Sequence, residues 1–134
     1  MTDAEATREL LAAATAARAH AHAPYSGFRV GAAVRTADGR LFTGCNIENA
    51  TYGLTLCAER VAVFKAMSEG AREFVQVAVV ADTDPLTPPC GACRQILSEF
   101  CPRAEIVLGN LGGRVEFRRI EELFPSPFHE RFFR

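Results

Sequence analysis

Cys90 and Cys93 form a Pro-Cys-x-x-Cys unit, and a three-residue step at the start of a helix puts both sulfurs on one side of its first turn. Alone, such a pair suits a redox couple as well as a metal site. The segment Cys57-Ala58-Glu59, also at a predicted helix start, adds a third thiolate. Three thiolates leave Zn²⁺ one open coordination position, the stoichiometry of a catalytic rather than a closed structural site. Glu59, two residues beyond its neighbouring ligand, is close enough to reach a metal-bound water without entering the coordination shell, so the pattern predicts acid/base chemistry on that water. Sulfur donors favour zinc over hard-oxygen cations such as magnesium, although iron fits the same donors.

Three thiolates on one Zn²⁺ make a net negative centre, which by itself weakens the metal's power to acidify water. Both ligand segments sit at helix N-termini, where partial positive charge and free N–H groups stabilise thiolates. Arg60 and Arg94 follow the ligands closely enough to donate to sulfur, and at least one of them is expected to do so. Solvated arginines on helix surfaces are the competing reading. Cys45 and Cys101 complete no zinc spacing and are expected to be buried small hydrophobes. His20, His22 and His129 are read as surface or capping residues, not ligands.

The elements that must position these residues follow from periodicity and turn chemistry. Leu10, Leu11, Ala14, Ala17 and Ala21 recur at helical spacing over about Asp3 to Ala21, before Pro24. Phe28 to Thr36 and Arg40 to Cys45 read as antiparallel strands joined at Asp38-Gly39. From Cys57 to Ser68 apolar residues lie almost all round a helix that Gly70 stops. Such a helix is buried on more than one side; a single sheet covers one, so a second subunit is expected on the other. Val75 to Ala81 is a central buried strand, Gly91 to Phe100 a third helix, Glu105 to Gly109 and Arg114 to Phe117 two further strands, and Ile120 to Phe124 a short last helix. The chain is therefore α/β, with helices on both faces of a mixed sheet of about five strands. Phe124, Phe128, Phe132 and Phe133 make the tail too apolar to be left in solvent.

The 134 residues suit one domain, 1–134, without repeats, low-complexity segments or linkers. Fifteen basic residues nearly balance sixteen acidic ones, and no Lys/Arg block could neutralise several phosphates, which disfavours polynucleotide binding. No apolar run approaches membrane-spanning length, and the N-terminal stretch lacks the apolar core of a signal peptide. Five cysteines, an odd number, fit reduced thiols or metal ligands better than a disulfide framework. A cytoplasmic protein is expected.

Four segments occur in the order and spacing of the small homotetrameric cytidine deaminases: Ala-Pro-Tyr-Ser-Gly-Phe at 23–28, Gly-Cys-Asn-Ile-Glu-Asn-Ala at 44–50, Cys-Ala-Glu-Arg at 57–60 and Pro-Cys-Gly-Ala-Cys-Arg-Gln at 89–95. The chain resembles that family nearly end to end. The resemblance implies a three-layer α/β/α fold, one zinc per subunit on Cys57, Cys90 and Cys93, and hydrolysis of cytidine and 2′-deoxycytidine to the uridines with loss of ammonia. It implies that Glu59 takes a proton from the metal-bound water, passes it to pyrimidine N3 and later to the leaving amine, while hydroxide attacks C4. Asn46 and Glu48 match the family's ribose-binding pair, and Phe28 its ring against the pyrimidine; Ala58 and Tyr52 fall at the substrate site. Phe128 resembles the aromatic that the family donates to a neighbouring subunit's site. A turn Asn, a solvated Glu and a core Phe are the plainer readings of Asn46, Glu48 and Phe28.

Three other readings remain in view. A non-catalytic zinc module would close its shell with Cys45 or Cys101, and a thioredoxin-like protein would use Cys90 and Cys93 as a couple. Both leave Glu59 without a role. A deaminase of a cytosine nucleoside antibiotic would use the same centre on a different small substrate.

Overall fold

The computed structural model describes residues 1–133. Helix α1 (Asp3–Arg18) opens with a capping box in which the Thr2 hydroxyl accepts from the Glu5 N–H and the Glu5 carboxylate accepts from the Thr2 N–H. Strands β1 (Val30–Thr36) and β2 (Leu41–Cys45) follow, then a 3₁₀ turn (Tyr52–Leu54) and helix α2 (Ala58–Ser68). After β3 (Phe74–Ala81) come α3 (Gly91–Phe100), β4 (Glu105–Gly109), β5 (Val115–Arg119) and the single turn α4 (Ile120–Leu123).

The five strands among the described residues form one sheet in the order β2-β1-β3-β4-β5. β3 and β4 are parallel, bridged by α3, and every other neighbouring pair is antiparallel. Gly39, with φ +90°, makes the turn between β1 and β2 in the left-handed region that glycine tolerates.

Alternation along the central strands builds two cores. Val30, Ala32 and Val34 of β1, Val77 and Val79 of β3, and Ile106 and Leu108 of β4 face one way, with Ala58, Ala62, Val63 and Ala66 of α2 and Leu97 of α3. Ala33, Ala78, Val80 and Val107 face the other way, onto Leu10 and Ala14 of α1. The architecture is the expected three-layer α/β/α arrangement with a mixed sheet. Two glycines allow the layers to close. A Cβ on Gly31 would lie 1.9 Å from the Ala14 carbonyl oxygen, and one on Gly44 would lie 2.5 Å from that of Ala58. Gly44 thus lets the first turn of α2, which holds Cys57 and Glu59, sit directly on β2.

Several expectations need correction. Helix α1 ends at Arg18 instead of Ala21, because His22 donates to the Asn46 carbonyl and accepts from the Glu48 N–H, which draws the chain onto the neighbouring loop. Strand β5 runs to Arg119, two residues beyond the Phe117 at which alternation weakens. Cys101 is buried, and burial raises its thiol to about 12, but Cys45 is only half-buried on the edge strand. Of the tail rings, Phe124 packs against the core as expected, whereas Phe128 stacks on Phe132 and meets Phe133 edge-on, and these three are exposed. Phe64 of α2 is exposed too, on the side of that helix the sheet does not cover. Among the described residues no helix is long and apolar enough to cross a membrane.

Candidate active site

The three cysteines converge because two helices start side by side. Cys57 is the N-cap of α2 and Cys90 the N-cap of α3, both in extended conformation, and Cys93 lies one turn into α3. The Cys57 and Cys90 sulfurs are 3.6 Å apart, and all three sulfurs lie within 4.8 Å of one another. Thiolates at about 2.3 Å from a tetrahedral zinc stand roughly 3.8 Å apart, so the Cys57–Cys90 spacing matches zinc and the third sulfur lies close enough to join them. The cluster includes neither Cys45 nor Cys101, so among the described residues there is no fourth cysteine to close the shell.

The electrostatics favour the Cys57 sulfur in its anionic form. An Arg60 guanidinium nitrogen donates to the Cys57 sulfur at 3.4 Å and to the Thr55 carbonyl at 3.2 Å. Cys57 is brought down to about 5, chiefly by a hydrogen bond from the Cys93 thiol, with Arg60 and Cys90 in support and burial opposing. Cys93, the proton-holding partner, is pushed upward. Arg94 behaves differently from Arg60: its Nε donates to the Pro89 carbonyl at 2.7 Å and a terminal nitrogen to the Leu123 carbonyl at 2.8 Å. It braces the ligand loop against α4. We therefore expect Arg60→Ala to lower zinc affinity by roughly 10–100-fold in a chelator competition, the usual cost of losing an outer partner of a metal ligand. Unchanged affinity would reduce Arg60 to a strut on Thr55.

Glu59, at 4% exposure, is one of the few charged residues inside the protein. Burial pushes its carboxyl up to about 7; the Cys57 charge adds to the rise, and hydrogen bonds from its own backbone N–H and from Cys93 oppose it. It lines a cavity of about 280 Å³ together with Cys57, Cys90, Phe28, Asn46 and Glu48. Ala58 also contributes to the wall.

One loop brings the polar pair to the metal ligands. Ile47 pairs with His22 on one side and with Leu56 on the other, the last residue before Cys57. Flanking it, Asn46 Oδ1 accepts from the Val30 N–H at 2.9 Å and Nδ2 donates to the Phe28 carbonyl at 2.7 Å, which fixes the amide's orientation. Glu48 Oε1 accepts from the N–H groups of Tyr25 and Ser26 at 2.9 and 3.0 Å, and Oε2 accepts from the Ser26 hydroxyl. The Ser26 hydrogen bond, helped by the two backbone donors against partial desolvation, holds the Glu48 carboxyl below the usual range.

Phe28, 42% exposed, lines the cavity, so it is a wall and not core. Tyr52 and Phe128 are not brought to this cavity by their own chain. Tyr52, 72% exposed, packs edge-on against Tyr25 above an adjoining recess that Ser26, Glu48 and Thr55 also line. Phe128 is tied to α3 through its carbonyl, which accepts from Gln95 at 2.8 Å. Sequence reasoning gave no role to Ser26, although it lies in the matched 23–28 segment, or to Thr55, which follows the 3₁₀ turn with no spacing signal to set it apart.

An α/β sheet that presents three thiolates and a buried carboxylate at one cleft defines a zinc hydrolase. Residues 4–109 match the family described as the cytidine and deoxycytidylate deaminase zinc-binding region. The chain is 53% identical over 120 residues to a cytidine deaminase of Halalkalibacterium halodurans, covering 89% of this chain and 91% of that one. The crystal structure of a cytidine deaminase from Burkholderia pseudomallei superposes with a TM-score of 0.88 at 48% identity, covering 96% of this chain and 100% of the other. A blasticidin-S deaminase of Bacillus cereus is 34% identical over 107 residues, 74% of this chain and 76% of that one. This chain belongs to the cytidine and deoxycytidylate deaminase family of zinc-dependent hydrolytic deaminases.

Proposed function

We propose that this protein deaminates cytidine and 2′-deoxycytidine to uridine and 2′-deoxyuridine with release of ammonia, as a single domain spanning residues 1–134. The observation that carries the reading is one cavity holding the mouth of the thiolate cluster, Glu59, Phe28, Asn46 and Glu48 together. Cys57, Cys90 and Cys93 would hold zinc, which would supply an acidified water at the cavity wall. Glu59 receives the proton that this water loses and delivers it to ring N3. It then takes the remaining proton of that water, now on the oxygen at C4, and hands it to the amine leaving C4, so that water and cytidine become uridine and ammonia. A carboxyl with few competing partners in an apolar wall suits both directions of transfer.

The remaining residues bind and orient. The Phe28 ring packs on the pyrimidine face. Glu48, an acceptor only, takes a hydrogen bond from a sugar hydroxyl, and Asn46 can both donate and accept there. Arg60 offsets thiolate charge. Identity of 53% to a relative named cytidine deaminase, against 34% to one named blasticidin-S deaminase, favours ordinary nucleosides over the antibiotic class.

The protein works as a homotetramer in the cytoplasm, in salvage of pyrimidine nucleosides. Support for the assembly is the exposed Phe64, Tyr52 and Phe128, two of which are family site residues that do not reach the cavity of their own chain. A monomer by sedimentation would contradict this part. The near balance of charge argues against polynucleotide substrates. The protein is expected to convert free cytidine while leaving a cytidine-containing oligonucleotide unchanged by mass; comparable rates on both would overturn the nucleoside reading.

A further inference from the structure

Glu48 has almost no spare hydrogen-bonding capacity. Its Oε1 already accepts twice, from the N–H groups of Tyr25 and Ser26. Its Oε2 accepts from the Ser26 hydroxyl, which leaves one lone-pair direction open. The hydroxyl is itself oriented: Ser26 Oγ accepts from the Phe28 N–H at 3.0 Å, so its own proton points to the carboxylate. Gly27, at φ +69°, makes the turn that allows both bonds, and its N–H closes onto the Ala23 carbonyl at 2.9 Å. The Phe28 carbonyl in turn receives the Asn46 amide. A single four-residue turn therefore ties together Glu48, Phe28 and Asn46 through their polar groups, with the Ser26 hydroxyl at the joint.

We propose that Ser26 is a positioning residue for nucleoside binding: its hydroxyl holds the Glu48 carboxylate so that one acceptor direction alone faces the cavity, where it takes a single hydrogen bond from the sugar. This inference rests on the nucleoside reading above. It separates two regions of one cavity. Ser26 acts on the sugar end, through Glu48, and leaves the zinc ligands and Glu59 untouched. The lowered Glu48 carboxyl, with the Ser26 hydrogen bond as its largest cause, agrees with that geometry.

The test compares substrates that differ only in the sugar. Ser26→Ala, normalised to zinc content so that misfolded chains are not counted, is assayed with cytidine, 2′-deoxycytidine and 2′,3′-dideoxycytidine. If dideoxycytidine turns over too slowly, its inhibition constant against cytidine replaces kcat/KM. For cytidine we expect kcat/KM to fall roughly tenfold, the usual effect of a hydrogen bond to a charged group, through KM with kcat little changed. With the dideoxy analogue, which lacks both the 2′- and 3′-hydroxyls and keeps only the 5′-hydroxyl, the same substitution costs little. Ser26→Thr keeps the hydroxyl and restores most of the loss. An equal loss with the dideoxy analogue, or a fall in kcat at unchanged KM, overturns the proposal. Absence of cytidine turnover by the parent protein overturns the substrate reading, and this inference with it.

Discussion

Glu59→Ala is expected to retain zinc and fold yet lose turnover of cytidine by roughly four orders of magnitude, the upper end of what one positioned acid/base group supplies. The loss is large because the same carboxylate is asked to act at N3 and again at the leaving amine, and nothing else in the cavity wall can take over. Cys57 and Cys90 are committed to the metal, Asn46 has its amide pinned between Val30 and Phe28, and Glu48 is tethered to the 25–26 turn. Glu59→Gln, nearly isosteric, should be as inactive as the alanine variant if proton transfer is the role. Substantial activity in Gln would mean that the side chain serves by shape or hydrogen bonding instead. Because Glu59 is buried and its ionisation is opposed by the interior, either neutral replacement should cost little stability.

Cys90→Ser should abolish activity by a different route, loss of the metal. Serine is a favourable N-cap, so the start of α3 should be kept while the thiolate is removed. We expect zinc affinity to fall by more than the roughly 10–100-fold that an outer partner such as Arg60 is worth. After dialysis, metal analysis should find near-stoichiometric zinc in the parent and little in the variant. Cys101→Ser and Cys45→Ser serve as comparisons that keep zinc, since neither sulfur belongs to the cluster. Zinc retained in Cys90→Ser would mean another ligand set holds the metal, and the catalytic stoichiometry argued from three thiolates would fail.

Much of this site is legible in the sequence because its key relations are local. A three-residue step on α3, a two-residue step from Cys57 to Glu59 and helix starts after Pro89 and Leu56 fix relative positions within single turns of chain. The central strands are legible for the same reason: Val77, Val79 and Val80 are too apolar for any exposed element. What escapes is set by contacts across long separations. The early end of α1 depends on the pairing of His22 with the 46–48 loop, which nothing within the helix announces. Ser26 looks like any turn serine until the fold places Glu48, twenty-two residues later, against it. The apolar tail and Phe64 show the limit in the other direction. Their composition calls for burial, yet Phe128, Phe132, Phe133 and Phe64 stand exposed on this chain.

Arg60 and Arg94 make the same point at closer range. Arg94 directly follows Cys93 and Arg60 stands three residues after Cys57, so the sequence places both near sulfur, yet one reaches it and the other reaches two backbone carbonyls. The difference lies in what stands opposite each helix: α4 offers Arg94 the Leu123 carbonyl, whereas Arg60 meets the Thr55 carbonyl and the Cys57 sulfur together.

The central claim is that this cleft hydrolyses the C4 amine of cytidine with Glu59 as the proton carrier. Its most direct test is the ultraviolet absorbance change on adding cytidine to the zinc-loaded protein, with Glu59→Ala prepared in parallel to exclude a contaminating deaminase. The account predicts steady conversion to uridine by the parent and none above background by the variant. No conversion by a folded, zinc-loaded parent, or equal conversion by both proteins, would contradict it.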